Sequence, residues 1–358
     1  MEEKMKNYFY YLILCLGIFL IISSCGGPLY QPGDVGNNEK LKTSFVPPDQ
    51  SGVKEGYWKV EDNILLYHFS DRTGTPVLII HGGPGYPPDK PWEALNLINQ
   101  NYEFVYYHQR GCGKSSRPIN TFESKNFYKN MTTLEKTLGI GAQLADIERI
   151  RQILEQEQLI LIGHSFGAFL ACLYAAEFPE NVKAMVLVAP ADVLVMPSKN
   201  GGLFKQVGKL LPENLTEEYQ DYLKRYFDYK NIFEKTEKEL SDLNSEFTKY
   251  YSAASKVKNL NIESQTTITE SGGWMVHAMY FSMGKKHDYR KALKEISVPI
   301  LVIHGENDIM PVEASQLYTD IFPNSKLTII KKASHFSYNE QPEEFAKIVE
   351  SFLIQVSQ

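Results

Sequence analysis

LILIGHSFGAFLA, residues 159–171, joins four apolar residues to Gly163-His164-Ser165-Phe166-Gly167 and then to a second apolar run. Leu159–Ile162 reads as a buried strand, and Ala168–Phe178 reads as a helix stopped by Pro179. Ser165 therefore falls on a strand-to-helix turn, the setting of a nucleophile elbow. A turn this tight has no room for a Cβ on either side of the serine. Glycines flank it for that reason, and the serine hydroxyl is pushed out above the sheet.

Outward from the elbow, Gly56–Phe69 alternates as a strand pair. Val77–Ile80, Phe104–Tyr107, Ala184–Val188, Ile300–Ile303 and Leu327–Ile330 read as further strands. Leu134–Leu154 carries one helical pattern, and Pro342–Ile354 reads as a closing amphipathic helix. Strands alternating with helices predict an α/β fold with a mostly parallel sheet covered on both faces and ligands at the carboxyl ends of the strands. This core takes in residues 53–190 and 291–358. Between the strands ending at Val188 and starting at Ile300 lie about a hundred residues, far more than an ordinary strand connection needs. Residues 191–290, with helical stretches at Glu217–Asp228 and Trp274–Met283, read as a helical cap over the strand ends.

A formal net charge of −6 with dispersed Lys and Arg speaks against nucleic acid or an anionic lipid surface as partner, and nothing in the chain marks an oligomeric state. Lys4 and Lys6 precede the apolar run Tyr8–Ile22, and Ser23-Ser24-Cys25-Gly26-Gly27 follows it, the order of a secretory signal. Fifteen helical residues span roughly 22 Å, short of the roughly 30 Å of a bilayer core. Ile22-Ser23-Ser24-Cys25 resembles the lipobox of bacterial lipoproteins, which implies cleavage before Cys25, its lipidation and an exported protein tethered to a membrane. Gly26 after the cysteine favours the outer membrane if the cell is Gram-negative, and the bacterial cell surface is the alternative location. Residues 1–25 are thus expected to be the signal, and residues 26–52, rich in Gly, Pro, Asn and charge, a tether. Cys112 and Cys172 are the remaining thiols of the body, too few for a disulfide framework.

A serine hydroxyl needs a base within hydrogen-bond reach and a carboxylate to hold that base. In an elbow fold the chain order is Ser, acid, His, with the acid after a late strand and the histidine after the last. Asp308, in Gly305-Glu306-Asn307-Asp308, is the expected acid, with Glu306 and Asp192 as rivals. His335, in Ala333-Ser334-His335-Phe336, is the expected base. His304, at a strand end, reads as a structural residue. Donors for the charge that develops on the carbonyl oxygen are expected at the Phe166 N–H and in His81-Gly82-Gly83-Pro84-Gly85, at Gly83 ahead of Gly82. Gly111-Cys112-Gly113-Lys114-Ser115 imitates the end of a phosphate-binding loop, but His108 stands where the first glycine is required. It reads as structural support near the site.

HGGPG at 81–85, QRGCGKS at 109–115, the GHSFG elbow, Gly305–Asp308 and His335 together resemble the proline iminopeptidase family of α/β-hydrolases. The resemblance spans roughly residues 50–190 and 291–358. It implies release of an N-terminal residue, often proline, from short peptides or amino-acid amides, with no metal or organic cofactor. An ester hydrolase on the same fold and, more remotely, a non-catalytic binding lipoprotein are the alternatives. The chain departs from the family pattern at His108, where Asp is usual, and at His164 and Phe166, where Gly and Trp are common. In the cap, His277 falls where a glutamate that holds the substrate amine is expected, with Glu270 and Glu263 as nearby substitutes.

Overall fold

The computed structural model describes residues 28–36, 45–99, 101–257 and 271–357; the lipobox, Cys25, Glu263 and Glu270 lie outside them. Eight strands form the central sheet: β1 (Tyr57–Glu61), β2 (Ile64–Phe69), β3 (Thr75–Ile80), β4 (Tyr102–Tyr107), β5 (Leu159–His164), β6 (Val182–Val188), β7 (Ile300–Gly305) and β8 (Ser325–Ile330). Their order is β1-β2-β4-β3-β5-β6-β7-β8. The β1/β2 and β2/β4 pairs are antiparallel, and every pair from β4 to β8 is parallel. The middle strands are continuous apolar runs because both of their faces are covered. Leu78, Ile80, Leu161 and Leu187 join Leu170 and Leu173 in one core. Their sequence neighbours Val77, Ile79, Ile160, Ile162 and Val186 point the opposite way, onto Phe345, Val349 and Leu353.

Flanking the sheet are helices α1 (Phe127–Leu138), α2 (Ile140–Ile153) and α3 (Phe166–Glu177). The single helix expected over Leu134–Leu154 is two helices, broken at Gly139, whose ψ of −178° is extended. A Cβ there would lie 2.4 Å from the Glu135 carbonyl oxygen and 2.6 Å from Ser282 Oγ. Close approach of an inserted helix therefore sets the break.

Between β6 and β7 come α4 (Gly202–Leu210), α5 (Glu213–Tyr226), α6 (Glu237–Val257) and α7 (Trp274–Met283), followed after β7 by α8 (Val312–Ile321) and the closing α9 (Pro342–Ser357). Tyr219, Tyr222, Tyr226 and Tyr250 pack ring against ring among the inserted helices. A two-residue antiparallel pair, Val195–Met196 with His287–Asp288, draws the two ends of the insertion together.

The expected tether is not free along its length. Tyr30, Val35 and Phe45 are buried in the body. Glu177, at the end of α3, accepts hydrogen bonds from Tyr30 Oη (2.7 Å) and from the N–H groups of Gly33 (2.7 Å), Val35 (3.2 Å) and Gly36 (2.6 Å). A carboxylate taken out of water needs several donors, and this curled segment supplies them.

Candidate active site

Ser165 sits between β5 and α3 with φ 53° and ψ −117°, a left-handed setting that a non-glycine residue adopts only under constraint. Its N–H donates to Val188 O at 2.9 Å. A Cβ on Gly163 would lie 2.5 Å from Ala168 Cα, and one on Gly167 would lie 2.0 Å from the Ile80 carbonyl oxygen. The turn therefore closes only with glycine at both places. Phe166 begins α3, so its N–H has no partner within the helix.

Two later strands bring the expected acid and the expected base together. His335 Nδ1 lies 2.8 Å from Asp308 Oδ2. Asp308 is 3% exposed, and its Oδ1 accepts the Met310 N–H at 2.9 Å. Burial alone would raise the Asp308 pKa. The His335 ring, then His304 and the Met310 N–H, outweigh it and hold the carboxyl below its ordinary value. The rival carboxylates are engaged elsewhere: Glu306 Oε2 accepts the Lys332 N–H at 3.1 Å, and Asp192 accepts from Ser198 Oγ. His304 Nδ1 faces Ser315 Oγ at 2.9 Å.

The HGGPG segment leaves β3 beside the elbow, where a Cβ on Gly82 would lie 2.9 Å from Ser165 Cβ. His81 anchors it: Nε2 accepts the Gln109 N–H at 3.1 Å, so Nδ1 carries the proton toward Gly82 O at 3.0 Å. Burial pushes this ring down to about 3, and it stays neutral. Arg110 forms a two-pronged pair with Asp146 (2.6 and 2.5 Å) and a third contact with Glu61 (2.9 Å). Ser115 and Ser116 accept the Tyr67 and Leu65 N–H groups of β2, each at 2.9 Å. Every one of these groups faces protein, and the next helix starts only at Phe127. His108 bridges the Lys114 N–H at 3.0 Å and Pro88 O at 3.1 Å, with burial holding it at about 4. It thus ties the loop after β4 to the loop after β3.

His277, on α7, is 1% exposed, and burial pushes it down to about 3. The rings of Tyr226, Tyr229 and Tyr280 surround it at 5.6, 6.0 and 6.2 Å, and its Nδ1 has no partner among the described residues. Two further residues of the insertion carry no motif that sequence reading could detect. Glu237 accepts from the Gly273 and Trp274 N–H groups at 3.0 and 2.6 Å and from Arg117 at 2.5 Å, so it caps α7. Tyr251, on α6, brings its ring to 6.3 Å from that of His335. Among the described residues no group of three or more His, Cys, Asp or Glu is placed to hold a metal ion.

A strained serine on a strand-to-helix turn, with a His–Asp pair at the ends of later parallel strands, defines the hydrolase class built on this sheet. The family model described as alpha/beta hydrolase fold matches residues 75–342, and the chain belongs to that family. A proline iminopeptidase of Heyndrickxia coagulans is 27% identical over 314 residues, covering 84% of this chain and 98% of the relative. Another, of Saccharolobus solfataricus, is 25% identical over 318 residues, covering 85% and 93%. Among solved structures, a thermophilic esterase of Thermogutta terrifontis with malate bound shares the fold, with a TM-score of 0.54, 20% identity and coverage of 82% of this chain and 95% of that one.

Proposed function

We propose that this α/β hydrolase is an aminopeptidase of the proline iminopeptidase type, acting on short peptides or amino-acid amides through an acyl-enzyme on Ser165. The observation that carries the serine chemistry is the His335–Asp308 contact, with the His335 ring 4.8 Å from that of His164, the residue before the serine. Asp308 accepts Nδ1–H, which leaves Nε2 of His335 free to take the Ser165 proton as Oγ attacks the carbonyl carbon. The same proton passes to the leaving amine, and water then releases the acyl group by the reverse route. The Phe166 and Gly83 N–H groups stabilise the oxyanion, each donor contributing about 3–4 kcal/mol. Similarity to curated proline iminopeptidases along more than four-fifths of the chain supports the peptidase reading.

The surroundings of His277 favour a second reading. A buried neutral imidazole, where the resemblance calls for a glutamate, cannot neutralise a substrate ammonium, and an ester or broad amide hydrolase has no need to do so. A panel of aminoacyl-arylamides, their N-acetylated forms and acyl esters separates the two. Amine recognition by a buried carboxylate predicts a loss of about two to three orders of magnitude in kcat/KM on acetylation. Rates for free and blocked substrates within about tenfold of each other assign the enzyme to the ester or broad-amide class.

The leader and Ile22–Cys25 support export and lipidation at Cys25. Fatty-acid labelling of the expressed protein, abolished by Cys25→Ser, tests this. A wild type recovered without lipid overturns it.

A further inference from the structure

We infer that His164 is a positioning residue that holds the general base in register with the nucleophile, an assignment that rests on the roles given above to Ser165 and His335. His164 Nε2 lies 2.9 Å from the backbone carbonyl oxygen of His335. A carbonyl only accepts, so Nε2 carries the proton and donates it. The ring is fixed on several sides: edge-on to Trp92 at 6.0 Å and Tyr338 at 5.3 Å, and tilted against Phe336 at 5.4 Å. A Cβ on Gly82 would lie 2.8 Å from His164 O and 3.3 Å from His164 Nδ1. One residue thus touches all three working segments: it precedes Ser165 in the elbow, lies against the HGGPG loop and bonds the backbone that carries His335.

The bond runs to the main chain of His335, so it leaves the imidazole free for Asp308 and Ser165 while fixing where that ring starts. Burial, reinforced by the nearby His335 ring, holds His164 down to about 3. It therefore stays neutral when His335 takes up the serine proton, and it places no second positive charge beside the imidazolium. Misplacing a catalytic group by about 1 Å can cost about a hundredfold in rate.

The test compares His164→Gln, whose amide N–H reaches the Nε2 position, with His164→Asn, which is too short, and His164→Phe, which keeps the ring but lacks the donor. Turnover is expressed per active site, titrated with a serine-directed fluorophosphonate, with near-UV circular dichroism as the check on folding. The Asn and Phe variants should lose about 10- to 100-fold in kcat with KM within about threefold, while Gln stays within about fivefold of wild type. Unchanged kcat per titrated site in Asn and Phe, with only a lower Tm or active fraction, overturns the assignment in favour of simple packing. So do equal losses in Gln, Asn and Phe. Ser165→Ala is measured alongside: if it retains turnover, the nucleophile reading fails and this inference with it, whereas a dead Ser165→Ala beside an active His164→Phe removes this inference alone.

Discussion

Asp308 and His335 stand 27 positions apart in the chain, yet Oδ2 of one lies 2.8 Å from Nδ1 of the other. Strand register brings them together: β7 and β8 are parallel, with Ile330 opposite Gly305, so the two loops leave the sheet side by side. The loops are then stitched together. Glu306 N–H donates to Ile330 O at 2.9 Å and Asn307 N–H to Ala333 O at 2.8 Å, while Lys332 N–H donates to Glu306 Oε2 at 3.1 Å. Glu306, nearer the strand than Asp308, is occupied in building the loop that carries the dyad.

Asp308→Asn keeps the shape of the site and the acceptor for Met310 N–H, but its amide favours the wrong His335 tautomer. We expect kcat to fall by about three to four orders of magnitude with little change in Tm. Glu306→Ala and Asp192→Ala should stay within about tenfold of wild type. Steady-state kinetics on the three variants checks the assignment, and a larger loss in either rival than in Asp308→Asn would reverse it.

Glu177→Ala strips Tyr30 Oη and three backbone N–H groups of their acceptor. A loss of roughly 2–4 kcal/mol in unfolding free energy follows, because hydrogen bonds to an ionised group are strong and the buried donors are left unpaired. Denaturant titration measures the loss, and limited proteolysis should cut near residues 30–36 sooner than in wild type. An unchanged midpoint and cutting pattern would show that the segment is held by its apolar side chains alone.

The central strands and the elbow were legible in the sequence from their residues, and the chain order of serine, acid and histidine pointed to the Asp308 and His335 that the structure brings into contact. A strand covered on both faces must be apolar throughout, and an elbow must carry its glycines, so Leu159–Ala171 and Ile300–Ile303 announced their places. Leu327–Ile330 belongs to an edge strand with Ile329 47% exposed, and only its apolar and β-branched residues marked it. Trp274–Met283 likewise emerges as the helix its pattern predicts. The break at Gly139 was hidden because the helical pattern runs on through it; what stops the helix is Ser282, some 140 residues away. The clamp at Glu177 was hidden because three of its four donors are backbone N–H groups, which every sequence possesses. His164 reads as the variable residue of the elbow until its partner, a main-chain carbonyl, is located in space.

Glu135 gives a dependence of stability on pH. Burial, aided by the Asp34 charge, raises it from an ordinary value of 4.5 to about 7, against the opposing hydrogen bond with Ser282. The folded state then binds more protons than the unfolded one between about pH 4.5 and 7, so this group makes stability fall as pH rises through that window. Glu135→Gln should match wild type below the window and exceed it at pH 8 by roughly 1–3 kcal/mol. Thermal melts of both proteins at pH 4 and 8 check this, and an equal difference at the two pH values would exclude titration of Glu135 as its source.

The central claim is a covalent step at Ser165. Intact-protein mass spectrometry after treatment with a fluorophosphonate, with peptide mapping of the adduct, tests it most directly. One equivalent on the peptide containing Ser165, lost in Ser165→Ala together with nearly all turnover, is the predicted result. A folded Ser165→Ala protein that still hydrolyses substrate at a near-normal rate would contradict it.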